Sequence, residues 1–204
     1  VQSRKVNLLS VNEDEGKTQL LNLPLDTHLK EVTVSVSGEN PQITLKDPEG
    51  NKKLLGDGFT ELLSLSNVKI VNIKEPVPGN WRLRVSSSGT HSVRVTGLSS
   101  ADFVAGFSKY PSKDFSKTAL RPIQGIPTSI LVNSTGIELP STLNELELVD
   151  LRGNTLAKYP LNQDPEIKTL YNVTPFVPPD QYFYVKVTGT DDEGYVMQRT
   201  TPTA

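Results

Sequence analysis

Cysteine is absent from all 204 residues, which removes disulfide staples, thiolate zinc sites and cysteine nucleophiles together. Its absence decides little about compartment, because a β-sandwich of about 100 residues can stand on its apolar core alone. A surplus of either charge is lacking too. The 21 basic and 23 acidic residues leave a net charge of −2, and the two signs are interspersed, so there is no electrostatic footprint for nucleic acid or an anionic membrane surface. No apolar run approaches the roughly 18 residues of a membrane-spanning helix. The opening segment VQSRKVNLLS has neither the apolar stretch nor the small-residue cleavage site of a signal peptide, so the chain reads as cytosolic or as a piece of a longer protein. Histidine is confined to His28 and His91, with no Asp, Ser or Cys at triad or ligand spacing. Nucleophile elbow, phosphate loop and paired-His metal motif are all missing. A catalytic triad assembles in space rather than in sequence, but nothing here points to one. The expectation is a chain that is not an enzyme and uses no cofactor and no metal.

What the chain does have is turn punctuation. Fifteen prolines and fourteen glycines mostly separate short apolar runs, and no 3.6-residue periodicity persists long enough to compete with strands. In Pro76 to Leu98, Trp81, Leu83 and Val85 alternate with Arg82, Arg84 and Ser86. After Ser87 to Thr90, Val93 and Val95 alternate with Ser92, Arg94 and Thr96. This pattern predicts a β-hairpin closing a domain, with Trp81, the only tryptophan, anchoring its core. Upstream, Val32, Val34 and Val36 mark the cleanest strand, and Ile43 and Leu45 mark a strand expected beside it. Pro24 confines the run Leu20 to Leu25 to an edge or a bulge, and the segment before Leu9 is an edge strand or a joint. Seven or eight strands are expected by Leu98.

From Ser99 the texture changes, and a second domain is expected. Phe103, Val104 and Phe107 start it, Thr128 to Val132 and Leu146 with Leu148 continue it, and Phe183, Val185 and Val187 lead through Thr190 to Gly194 into a closing hairpin. The prediction is all-β, two tandem β-sandwiches: residues 1–98, then residues 99–204 with an immunoglobulin- or fibronectin-like final hairpin.

Few side chains invite chemistry. Glu13, Asp14 and Glu15, and again Asp191, Asp192 and Glu193, cluster before glycines. Solvated turns explain both better than calcium loops, whose ligands alternate around a glycine. Arg82 and Arg84 form an outward face that is expected to be solvated, with contact to a partner as the alternative. Asn133-Ser134-Thr135 and Asn172-Val173-Thr174 are glycosylation sequons, expected beside turns, with Pro175 lowering use of the second.

The runs LKEVTVSVSG, VNIKEPVPGNWRLRVSSSGTHSVRVTGLSSADFVAGFS, RPIQGIPTSILVNSTGI and FVPPDQYFYVKVTG together resemble the hemicentin family, in the segment after its von Willebrand A domain. The resemblance covers nearly the whole chain. It implies a galactose-binding-like jelly-roll sandwich followed by an immunoglobulin-like one. It further implies a non-catalytic structural or adhesive module of a secreted extracellular-matrix protein, supporting basement-membrane and cell attachment. The implied partners are matrix or cell-surface proteins, copies of itself among them, and neighbouring domains of the parent chain. A galactose-binding-like fold does not carry sugar binding with it. The rival readings are a carbohydrate-binding module, using Trp81 or His91, and a protease-accessory module, suggested by PGNWRLRV.

Overall fold

The computed structural model describes residues 2–56, 58–137 and 141–204, and within them nearly all regular structure is β. The first half supplies β1 (Arg4–Glu13), β2 (Gln19–Leu25), β3 (Glu31–Gly38), β4 (Gln42–Lys46), β5 (Phe59–Ser64), β6 (Val68–Lys74), β7 (Gly79–Ser86) and β8 (His91–Ser99). They form an antiparallel five-stranded sheet, β1-β8-β3-β6-β5, packed on a three-stranded one, β2-β7-β4, the layering of an eight-stranded jelly roll. Alternation does the sorting. Val32, Val34, Val36, Val93 and Val95 point inward from the larger sheet and meet Trp81, Leu83, Val85 and Leu45 from the smaller. Trp81 is buried, and its indole N–H donates to the Val77 carbonyl at 2.8 Å. Full burial of each such aliphatic side chain stabilises by roughly 1.5–3 kcal/mol. Pro24 lies in β2, an edge strand, where a missing N–H costs no ladder bond.

Two expectations need correction. The Pro76–Leu98 segment is not a hairpin: β7 pairs with β2 and β4, whereas β8 pairs with β1 and β3. Residues 87–90 carry the chain from one layer to the other, so Trp81, Leu83 and Val85 face the β8 valines across the core. Likewise β3 and β4 are in opposite sheets rather than side by side. A period of two reports one buried face and is blind to whether the next strand lies beside or opposite. In β5 Phe59 is buried, whereas Leu62 and Leu63 are 59% and 36% exposed.

The second half supplies β9 (Asp102–Ser108), β10 (Thr128–Thr135), β11 (Thr142–Val149), β12 (Thr155–Pro160), β13 (Asn162–Gln163), β14 (Leu170–Phe176), β15 (Tyr184–Thr190) and β16 (Val196–Thr200). Its sheets run β13-β14-β10-β9 and β12-β11-β15-β16. Lettered A to G with an added C′, these are the D-E-B-A and C′-C-F-G layers of an immunoglobulin-like sandwich. Where antibody domains join strands B and F by a disulfide, β10 and β15 supply Ile130, Val132, Val185 and Val187 to the core. The expected closing hairpin is present: β15 pairs with β16 in continuous register from Thr190↔Val196 to Lys186↔Thr200.

Between β9 and β10 the chain straps across the outer face of its own sheet. A Cβ on Gly106 would stand 2.2 Å from the Thr118 hydroxyl oxygen, so glycine is required at this outward position. Ahead of that contact, Lys113 reaches Asp164, beyond the opposite edge strand, at 2.8 Å. Leu131, on the same outer face, is 3% exposed although it points away from the core.

Candidate functional site at the domain interface

β16 is the edge of its sheet, yet Met197, Gln198, Arg199 and Thr200 are all buried. Strands β1 and β2 of the first sandwich cover it, so an edge that would template foreign strands is occupied within the chain.

At the centre lies Arg199, 1% exposed. Its Nη1 donates to Asp26 Oδ1 at 2.7 Å and to the Gln198 carbonyl at 3.0 Å. Its Nη2 donates to Asp26 Oδ2 at 3.2 Å and to Ser99 Oγ at 3.4 Å, and its Nε to the Ala101 carbonyl at 2.8 Å. All five guanidinium N–H groups are satisfied, and the fork on Asp26 is bidentate. Asp26, itself fully buried, also accepts the His28 backbone N–H at 3.1 Å. One cation thus ties the first sandwich, the second and the residues joining them. Asp102 is close by. Burial pushes its carboxyl above the ordinary carboxylate range, against the pull of the Phe103 N–H and of Arg199 and Arg4.

Two further contacts flank this centre. The β1–β8 ladder slips between Asn7 and Leu9, a bulge that frees the Leu8 carbonyl, and Gln198 Nε2 donates to it at 2.9 Å. On the other side, Asp191 Oδ2 accepts both the backbone N–H and the hydroxyl of Thr27 at 2.9 Å, while Oδ1 accepts the N–H groups of Glu193 and Tyr195. His28 Nε2 lies 2.8 Å from Asp192 Oδ1. Within the Asp191–Glu193 tip, expected as a solvated acidic turn, Asp192 and Glu193 are exposed but Asp191 is 3% exposed and bonded across the interface. His28 thus has Asp26 two positions away in the chain, bonded to its backbone, and Asp192 at its ring. Elsewhere along the contact, the Asn12 N–H donates to the Leu151 carbonyl at 2.8 Å and Asp14 pairs with Arg152. The first acidic cluster thus also takes part, in an exposed ion pair.

The sequons are placed otherwise than expected. Asn133 is in β10 and Asn172 in β14, inside paired strands rather than beside turns, because each spacer residue is a strand residue of alternating orientation. Asn133 is half-buried and Asn172 exposed. Arg82 and Arg84 are exposed on β7. His91 is 3% exposed, with Nδ1 3.1 Å from Ser87 Oγ and Nε2 2.8 Å from Gln19 Oε1, and no carboxylate completes a triad with it. A cleft of about 630 Å³ in the second sandwich has Arg121, Asp180 and Tyr182 as its ionisable side chains, with Arg121 stacked over Tyr182 at 5.6 Å.

Sequence reading passed over Asp26, Thr27, Gln198 and Arg199. One signal was available: in VMQRT the apolar period breaks, leaving three polar residues in a row inside a strand.

Acid should loosen the fold in a defined window. The Lys113 ammonium and the N–H groups of Ile167 and Glu166 hold the Asp164 carboxyl down at about 2. At Asp191, burial works to raise the carboxyl, but the Thr27, Tyr195 and Glu193 donors outweigh it and the net displacement is downward. Carboxylates depressed in the folded state contribute stability above their unfolded value, near 3.9, that is lost as pH falls through the folded value. Melting temperature measured from pH 6 to pH 2 should hold to about pH 4 and then fall. The Asp191→Asn variant should show a flatter fall over the same range.

Two family models match the chain. Residues 5–100 match the family described as hemicentin galactose-binding domain-like, and residues 102–204 match the VWA7 beta-sandwich domain. Over 202 residues, 98% of the chain, it is 47% identical to Hemicentin-1 of Mus musculus, 46% to Hemicentin-1 of Homo sapiens and 39% to Hemicentin-2 of Mus musculus. The chain belongs to the hemicentin family. It spans about 4% of the length of each of these hemicentins. The Hemicentin-1 relatives are secreted extracellular-matrix proteins. A Bacillus licheniformis lipase, BlEst2 in its propeptide form, aligns with 98% of the chain and 40% of its own at 12% identity and a TM-score of 0.44; neither fold nor chemistry can be inferred from that likeness.

Proposed function

We propose that this hemicentin segment is a rigid, non-catalytic coupling: two sandwiches, residues 1–98 and 99–204, held at a fixed angle so that the domains on either side of them in the parent chain keep a set mutual orientation. In the parent protein this would link the von Willebrand A domain to the immunoglobulin array and support basement-membrane and cell attachment. The observation that carries the reading is the Arg199–Asp26 pair. A flexible tandem would leave these groups in water, whereas here both are dehydrated and matched donor for acceptor, an arrangement that exists only at one mutual orientation. Placing the division at Ser99 is supported by its hydroxyl, which accepts both the Ala101 N–H at 3.0 Å and the Arg199 fork. The burial of Trp81 and His91 argues against a sugar platform built on them.

Small-angle scattering of the intact chain tests this. The expected curve is that of one conformation, with a maximum dimension unchanged between low and high salt, since a buried pair is screened little. A curve requiring a broad distribution of interdomain distances would overturn the reading.

A further inference from the structure

We propose that Asn133 and Asn172 both carry N-linked glycans, Pro175 lowering but not abolishing use of the second, and that these lie side by side, making the outer face of the β13-β14-β10-β9 sheet a carbohydrate-covered surface from which protein partners are excluded. The inference rests on the secreted, matrix reading of the chain and goes beyond it.

The register carries the argument. β10 and β14 are adjacent and antiparallel, with Leu131 opposite Asn172 and Asn133 opposite Leu170. The two asparagines are therefore diagonal neighbours, about 7–8 Å apart between backbones. They share a face, because the intervening positions Ile130, Val132, Tyr171 and Val173 all belong to the core. Each sequon's threonine, Thr135 and Thr174, points the same way and is exposed. Along the next strand, Asn172 is opposite the exposed Asn162, so its side chain has open space on the side away from β10. On the same face Leu131 is 3% exposed and Val104, opposite Asn133 on β9, is 51% exposed, so a glycan on Asn133 stands beside an uncovered apolar side chain. The sequons are 39 positions apart in the chain and become neighbours only on folding, so each asparagine is free of the other when it is modified on the extended chain.

In the modification a polyprenyl-diphosphate-linked oligosaccharide is the donor. The bond from its anomeric carbon to the diphosphate oxygen breaks, the Asn Nδ2 forms the new C–N bond and loses one proton, and the diphosphate departs with the bonding pair. No oxidant or reductant is involved. The consequence for assembly is directional: protein contacts are left to the first sandwich and to the opposite sheet of the second.

The test is secretion of the full chain from a mammalian cell behind a cleavable signal, then intact mass with and without peptide N-glycosidase treatment. Two glycans are expected on the unsubstituted chain, one on Asn133→Gln, one on Asn172→Gln and none on the double variant. Should a variant fail to be secreted, deglycosylation of the unsubstituted protein in heavy-oxygen water reads each asparagine directly as a labelled aspartate. Two labelled positions support the proposal; one or none overturns it. Scattering on the deglycosylated protein tests the rigid-coupling reading by itself, so a failure of either is distinguishable from a failure of the other.

Discussion

Replacing Arg199 with alanine is expected to lower stability by about 3–5 kcal/mol, because it strands a fully buried Asp26 carboxylate with no cation to answer it. For a chain of this size that corresponds to a fall of roughly 6–20 °C in melting temperature. Scattering should broaden at the same time, as the single contact that joins both sandwiches and their connection is gone. Removing both charges is expected to hurt less than removing one. The pair Asp26→Leu with Arg199→Met replaces a matched buried ion pair by apolar groups of similar bulk, a change that is often near neutral. Differential scanning calorimetry of the single and double variants checks this. If Arg199→Ala melts within about 2 °C of the parent chain, a shift equivalent to about 1 kcal/mol or less, the pair is not the coupling.

Trp81→Ala is expected to cost about 3–5 kcal/mol through the cavity it leaves among Leu83, Val85 and the facing β8 valines. Trp81→Phe should cost less, since most of the volume remains, although the hydrogen bond to Val77 is lost. Because Trp81 is the only indole in the chain, the unsubstituted protein carries its own control. Its emission should be blue-shifted and insensitive to an aqueous quencher until the first sandwich unfolds. Circular dichroism on heating monitors the alanine variant, which lacks the fluorophore. A Trp81→Ala melt indistinguishable from the parent would contradict the placement of the indole.

The two effects fall on different levels of organisation, and so did what could be read from the residues. Trp81 and the triplet Val32, Val34 and Val36 were legible as core because burying one face of a strand imposes a local two-residue period. The β15–β16 hairpin was legible because its tip and both arms are contiguous. The apparent hairpin of β7 and β8 looks the same by that criterion, yet its arms belong to different sheets. Local alternation is satisfied equally by a neighbour in the plane and by a partner across the core. Asn133 and Asn172 were legible as motifs, but their adjacency was not, since it arises from an antiparallel register set by strands far apart in the chain.

Arg199 marks the other limit. Its opposite number, Asp26, is 173 residues away, and although the broken period of VMQRT marks Arg199, nothing local pairs it with Asp26. Composition and periodicity alone determined a β-rich chain with two apolar cores and no cysteine chemistry, because burying a face and turning the backbone are constraints felt within a few residues. Which sheet each strand joins, and the orientation at which one sandwich meets the other, were decided only by tertiary packing. A buried ion pair is stable solely where every donor finds its acceptor, and that matching is a property of the assembled surfaces rather than of any segment.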